Sequence, residues 1–317
     1  MPPNSADQSP APMPSPSRRG RMAAIWSEIK GLFWLLVAVL VFHSFIAKPF
    51  YIPSISMMPT LQVGDRLFVS KYAYGWSHVS PTIPDPVAIF RWLILRQQVP
   101  TATVQLPPSD GRIWGKMPKR GDIVILKPKG QTDDLIKRVI ALPGDLLEMR
   151  GGEIWLNGAA IKRQQQPDTI VPEDGHLCQG VPCYSGFTDQ PIRLKNGKYG
   201  YLVPTVRETL PGGVSYDTFD LENTSSDDVP PTRIPAGHVY LMGDNRDRSA
   251  DSRVPAEFRG LGGAVSWDRL GGRAEIISFS VDGTTGLNPA SWWSSLRGER
   301  AGTSLRPQKS EKPAAAR

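Results

Sequence analysis

Cysteine and histidine are scarce in this chain of 317 residues, and the common catalytic signatures are missing. Two cysteines are too few for a disulfide scaffold or an all-cysteine zinc cluster. The four histidines give a Ser-His-Asp hydrolase little to draw on. His43 lies in an apolar run, His78 and His176 in polar loop text, and His238 opens a strand-like run. No Gly-x-Ser-x-Gly, His-Glu-x-x-His, Walker or Gly-x-Gly-x-x-Gly motif occurs. The Ser-x-x-Lys at Ser27–Lys30 sits at the edge of that apolar run, outside any folded pocket. There is no repeat of fixed period and no long amphipathic helix beyond residue 60. Charge is only mildly one-sided, at 37 Lys+Arg against 30 Asp+Glu. A net +7, partly carried by the tails, is a weak argument for nucleic acid, and none is expected as a partner.

Glycine and proline are abundant instead, at 30 and 31 residues. That density of helix breakers suits short strands joined by turns. Strand-like runs follow one another: DRLFVS (65–70), GDIVIL (121–126), DLIKRVIAL (134–142), DLLEMR (145–150), EIWLNG (153–158), HVYLMG (238–243) and AEIISFSV (274–281). Gly-Asp punctuates them at 64–65, 121–122, 144–145 and 243–244. The expected fold is mostly β.

Four regions frame these runs. Residues 1–24 are rich in Pro and Ser and read as a disordered tail with a basic cluster at Arg18, Arg19 and Arg21. Residues 31–47, GLFWLLVAVLVFHSFIA, carry no charge and as a helix would span about 26 Å. We expect a retained transmembrane anchor over 25–48 rather than a cleaved signal, because no small-x-small site follows the run. Arg18, Arg19, Arg21 and Lys30 precede it and only Lys48 follows closely, so the amino terminus is expected in the cytoplasm. The catalytic part, 49–285, would then lie outside. Within it, residues 160–235 have weaker runs and read as an inserted β-rich subdomain, and 286–317 as a loose tail. Cys178 and Cys183 stand in the insert as CQGVPC. A disulfide clip is the expectation, and a metal pair beside His176 the alternative.

The chemistry left by elimination is serine with lysine. PSISMMPTLQVGD (53–65) holds Ser54 and Ser56 in a stretch bracketed by Pro53 and Pro59, which disfavour helix. In DLIKRVIALPGD (134–145), a strand would place Lys137 on one face with Leu135 and Val139, and Ile136, Arg138 and Ile140 on the other. If the lysine head group is desolvated the ammonium loses pKa, and a neutral amine is a general base. A head group snorkelling to solvent is the usual alternative. MGDNRDRSADSR (242–253) packs Asp244, Asp247 and Asp251 with Arg246, Arg248 and Arg253. Three arginines compete for the carboxylates and no acidic residue closes the loop as an EF-hand requires, so it reads as a cross-linked scaffold loop.

In this order, PSISMMPTL, GDIVIL, IKRVIALPGD and MGDNRDRSADSR resemble the motifs of bacterial type I signal peptidases, and the single anchor before the serine fits too. The resemblance spans roughly residues 31 to 281, discontinuously. It implies a signal-peptidase-like β-fold with an apolar surface against the bilayer, and no cofactor or metal. By similarity, Ser56 is the nucleophile and Lys137 the general base. The Ser56 N–H and the Ser54 hydroxyl would donate to the oxyanion, and Ser249 would orient the lysine. Asp251 and Arg253 would support the site. Ile52, Met57, Leu61, Leu135 and Ile136 are pocket candidates by motif position. The substrates implied are exported preproteins whose signal peptides end in small-x-small, cleaved by a monomer at the bacterial inner membrane. Ile55 stands where many members place glycine, and Arg248 where asparagine is common. The alternatives are a related Ser–Lys protease dedicated to one pilus or conjugation substrate, and a catalytically silent extracytoplasmic binding module.

Overall fold

The computed structural model describes residues 18–81, 83–84, 103–104, 107, 111–131, 133–173, 191–194, 199–284 and 293–309. The chain divides into two units between Phe42 and His43.

In the first unit a helix runs over Arg18–Val41. It begins inside the stretch read as a tail, because Met22, Ala23, Ala24, Glu28 and Lys30 are good helix formers that let it extend ahead of the apolar run. Residues Ile25–Ile46 form a stretch of mean hydropathy 2.1, long enough to cross a bilayer. Leu32, Trp34 and Leu36 are exposed, and the helix has no preferred apolar face. A helix apolar all round needs an apolar surrounding. It gives way to a π-helical turn at Phe42–Ile46 and to strand at Ala47–Tyr51, where Pro49 bars further helix.

The second unit is mostly β, with antiparallel pairing throughout its sheets. Seven strands form the main sheet in the order Ala47–Tyr51, Asp65–Ser70, Leu270–Ser280, Ile123–Leu126, Leu135–Ala141, His238–Met242, Val265–Ser266. Register shifts along Leu270–Ser280 let its pairing bend between the Asp65–Ser70 and Ile123–Leu126 neighbours. A second sheet joins Lys162–Pro172, Tyr199–Leu210, Val214–Thr218 and Gln308–Lys309, with Ile192–Arg193 pairing alongside Tyr199–Leu210. A third sheet joins Val229–Arg233, Leu146–Arg150, Glu153–Leu156 and Ala159–Ala160. Each strand-like run from 65 to 281 thus contains a strand, and alternation explains why: in Leu146–Arg150, Leu147 and Met149 turn inward while their neighbours are less buried.

Residues 293–309 correct the expectation of a loose tail. Leu305 joins the core cluster of Ile52, Met57, Leu61, Leu67, Ile123 and Ile136. Arg297 Nη1 donates to the Val63 carbonyl at 3.0 Å, and Arg300 grips Asp65 through Nε (2.9 Å) and Nη2 (2.6 Å). Asp65 is fully buried, so its charge requires that partner. The basic composition that reads as a tail therefore supplies counter-ions to buried groups. Arg300→Ala should cost about 3 kcal/mol of unfolding free energy, the usual cost of orphaning a buried carboxylate. Urea denaturation checks this, and a midpoint equal to wild type would refute it.

Candidate active site

The strand Leu135–Ala141 lies between two hydrogen-bonded neighbours, and every residue after Leu135 is buried. A lysine at its centre has no route for its head group to solvent. Lys137 is 3% exposed, and its Nζ lies 3.1 Å from Ser56 Oγ and 3.0 Å from the Ile136 carbonyl oxygen. Burial pulls its pKa down from 10.5 to about 8, against the upward pull of Asp251 and Asp244. A neutral amine is therefore accessible close to physiological pH.

Ser56 does not sit in an extended segment as the flanking prolines suggest. Residues 54–61 are bent, with Met58 N donating to the Ile55 carbonyl (3.1 Å) and Leu61 N to that of Met57 (2.9 Å). Tertiary bonds override the local preference. Asn245 donates from its backbone N–H to the Ser56 carbonyl (3.1 Å) and from Nδ2 to the Ile55 carbonyl (3.2 Å). The Ser54 hydroxyl is exposed and lies 3.3 Å from Ser56 Oγ.

The loop 242–253 is cross-linked on every side. Arg138 forks onto Asp244 (Nε–Oδ1 2.7 Å, Nη2–Oδ2 2.6 Å), and both are buried. Arg253 forks onto Asp251, which also accepts from Gly243 N at 2.9 Å. Burial pushes the Asp251 carboxyl up, but Arg253 and these hydrogen bonds hold it below its ordinary value. Arg246 forks onto the fully buried Glu208 (2.7 and 2.5 Å). A Cβ at Gly243 would overlap Ser249 Oγ and the Ser56 carbonyl, so only glycine lets the loop approach the serine this closely.

The structure thus brings together Ser54, Ser56, Lys137, Asp251 and Arg253 around one loop. Ser249 is there too, packed against Gly243, but its buried Oγ makes no hydrogen bond in this structure. Ile52, Met57, Leu61 and Ile136 are buried in one core cluster, and Leu135 is half-buried against another. Met57 and Leu61 expose no surface, so they form packing behind the serine rather than an open pocket wall. Cys178, Cys183 and His176 lie outside the described residues. Among the described residues, Asp220, Asp227 and Asp247 bring carboxylate oxygens within 4.8 Å of one another. Arg163 pairs with Asp220 at 2.5 Å and Arg253 faces Asp227 at 3.9 Å, so arginines supply positive charge there.

Three supporting residues have no role assigned from sequence: Asn245, Arg138 and Glu208. Arg138 had a usable signal. An arginine inside an apolar strand demands a buried carboxylate, and the aspartate-rich loop was the obvious source. Glu208 had none, since its partner lies 38 residues further along the chain.

Residues 25–279 match the sequence model of the family described as "Signal peptidase, peptidase S26". The chain belongs to that family. It is 28% identical over 274 residues to the signal peptidase I of Rickettsia typhi (strain ATCC VR-144 / Wilmington), covering 84% of this chain and 82% of the relative. The signal peptidase I of Rickettsia prowazekii (strain Madrid E) is 29% identical over 276 residues, with coverage of 84% and 82%. A solved signal peptidase I from Enterococcus faecalis V583 is 22% identical, covering 50% of this chain and 97% of its own, with a TM-score of 0.25. As a peptidase S26 family member the chain is a serine endopeptidase, of the kind that removes signal peptides from preproteins.

Proposed function

We propose that this endopeptidase works through Ser56 as nucleophile and Lys137 as general base, on preproteins whose signal peptides end in small-x-small. The observation that carries the reading is the 3.1 Å approach of a buried amine, its pKa lowered to about 8, to Ser56 Oγ. Neutral Lys137 accepts the Ser56 proton as Oγ attacks the carbonyl carbon before the scissile bond. The tetrahedral oxyanion receives hydrogen bonds from the Ser56 N–H and the Ser54 hydroxyl. Collapse expels the new amino terminus, which takes its proton from the lysinium. The same lysine, neutral again, activates the water that releases the acyl group. Asp251 and Arg253 act as supports, through the Gly243 N–H and the fold of the loop. The Ile25–Ile46 stretch serves as the anchor, with the amino terminus in the cytoplasm and the β unit on the far side, because basic residues cluster ahead of it.

The test is cleavage of an exported precursor carrying Ala-x-Ala by the detergent-purified full chain, with the product's new amino terminus sequenced. Cleavage after the second Ala is expected. Cutting elsewhere, or equal cutting when that Ala is replaced by a bulky residue, would overturn the substrate assignment.

A further inference from the structure

The inserted strands reach the nucleophile from two directions. Ile55 packs with Val171, Val203 and Phe219, and Met58 is buried in the same cluster. Val171 and Val203 belong to the strands Lys162–Pro172 and Tyr199–Leu210, far from the serine in sequence. From the second of those strands Glu208 binds Arg246, and its Oε2 also accepts from Tyr216 Oη at 2.9 Å. Arg246 N donates to the Phe219 carbonyl (2.8 Å), and Phe219 N to that of Asp244 (2.9 Å). Asn245, between those two residues, is therefore fixed from both sides. Its Nδ2 then donates to the Ile55 carbonyl.

The peptide joining Ile55 to Ser56 is trans. In a trans peptide the N–H points opposite to the C=O. Whatever fixes the direction of the Ile55 carbonyl therefore also aims the Ser56 N–H. Met58 N holds that carbonyl from within the turn, and Asn245 holds it from across the loop. We propose that Asn245, held by the Glu208–Arg246 pair of the inserted sheet, is a positioning residue that aims the Ser56 N–H at the developing oxyanion. The insert is by this inference a working part of the site. Ile55 adds an apolar grip on the same peptide.

This inference rests on Ser56 being the nucleophile and deepens that reading. An aimed N–H matters most when negative charge has formed, so its loss should lower kcat and leave KM nearly unchanged. The experiment measures both constants, and the pH dependence of kcat, for the full-length chain and for Asn245→Ala, Asn245→Asp and Glu208→Gln. Asn245→Asp keeps the shape but cannot donate to the Ile55 carbonyl when ionised. Each variant is expected to lose roughly tenfold or more in kcat. The pH midpoint should stay put in Asn245→Ala, which changes no charge, and move up in Asn245→Asp, whose new carboxylate adds to the pull of Asp244 on Lys137. A peptide aldehyde that adds to the serine should lose affinity in parallel with kcat, whereas the cleaved signal peptide should bind as before. Wild-type kcat in both Asn245 variants would overturn the inference even if Glu208→Gln fails to fold. A rise in KM alone, or a shifted pH midpoint in Asn245→Ala, would equally overturn it. Activity surviving in Ser56→Ala would instead sink the underlying reading, so the two failures are distinguishable.

Discussion

Ser56→Ala should leave no measurable cleavage, with a loss on the order of 10⁶-fold in kcat if the serine and its base act as one unit. The fold should hardly notice. The substitution removes one hydroxyl whose neighbours are Lys137 Nζ and Ser54 Oγ, and the backbone bonds that shape the turn do not involve the side chain. One lost hydrogen bond of this kind is worth about 1 kcal/mol. Substrate binding should survive, because the oxygen removed is the attacking atom and not a recognition group. The decisive assay is therefore a pair of measurements on one preparation: turnover of an Ala-x-Ala precursor, and binding of a non-cleavable signal peptide. Retained binding with lost turnover fits the assignment. Turnover above a thousandth of wild type, free of contaminating protease, would require another nucleophile, and Ser54 at 3.3 Å would be the first to test.

How much of this site can be read without a structure differs from residue to residue. Lys137 reads in sequence as a lysine between apolar neighbours, a position from which a head group usually snorkels to solvent. The resemblance to a known motif set singles it out, and the two flanking strands are what bury it. The strands themselves are legible because alternation and Gly-Asp turns are local signals. The bend at Ser56 was not, since prolines at 53 and 59 favour extension locally and the bonds from Asn245 that fold the segment come from 190 residues away. The packing of residues 293–309 was hidden by composition. Arg297 and Arg300 look like solvent-exposed tail charges until Asp65 and the Val63 carbonyl are seen waiting for them. The insert likewise reads as peripheral, because neither Glu208 nor the Val171 and Val203 side chains carry any mark of contact with residues 55–58. Long-range pairing of charges is where a single sequence gives least.

Lys137 yields the second large effect and a sign that separates chemistry from structure. Lys137→Arg and Lys137→Met should both abolish turnover, the first because a guanidinium stays protonated and the second because no base is left. In the unaltered chain, activity should rise with pH through about 8 as the amine loses its proton. Stability should respond in the same window. The folded-state pKa is about 8 against an ordinary 10.5, so between these values the unfolded chain holds a proton that the native chain has released. Unfolding free energy therefore rises with pH across that interval, and at pH 7 the buried ammonium is a net cost on the order of 3 kcal/mol. Lys137→Met removes that cost and nearly preserves volume, so it should be inactive and yet more stable than wild type at neutral pH. The gap should close as pH approaches 10.5. Urea midpoints of both proteins at pH 7 and pH 10 measure this directly. A Met variant that is less stable at pH 7 would mean that the lysine holds the fold together as a charged group, and the neutral-base mechanism would lose its physical basis.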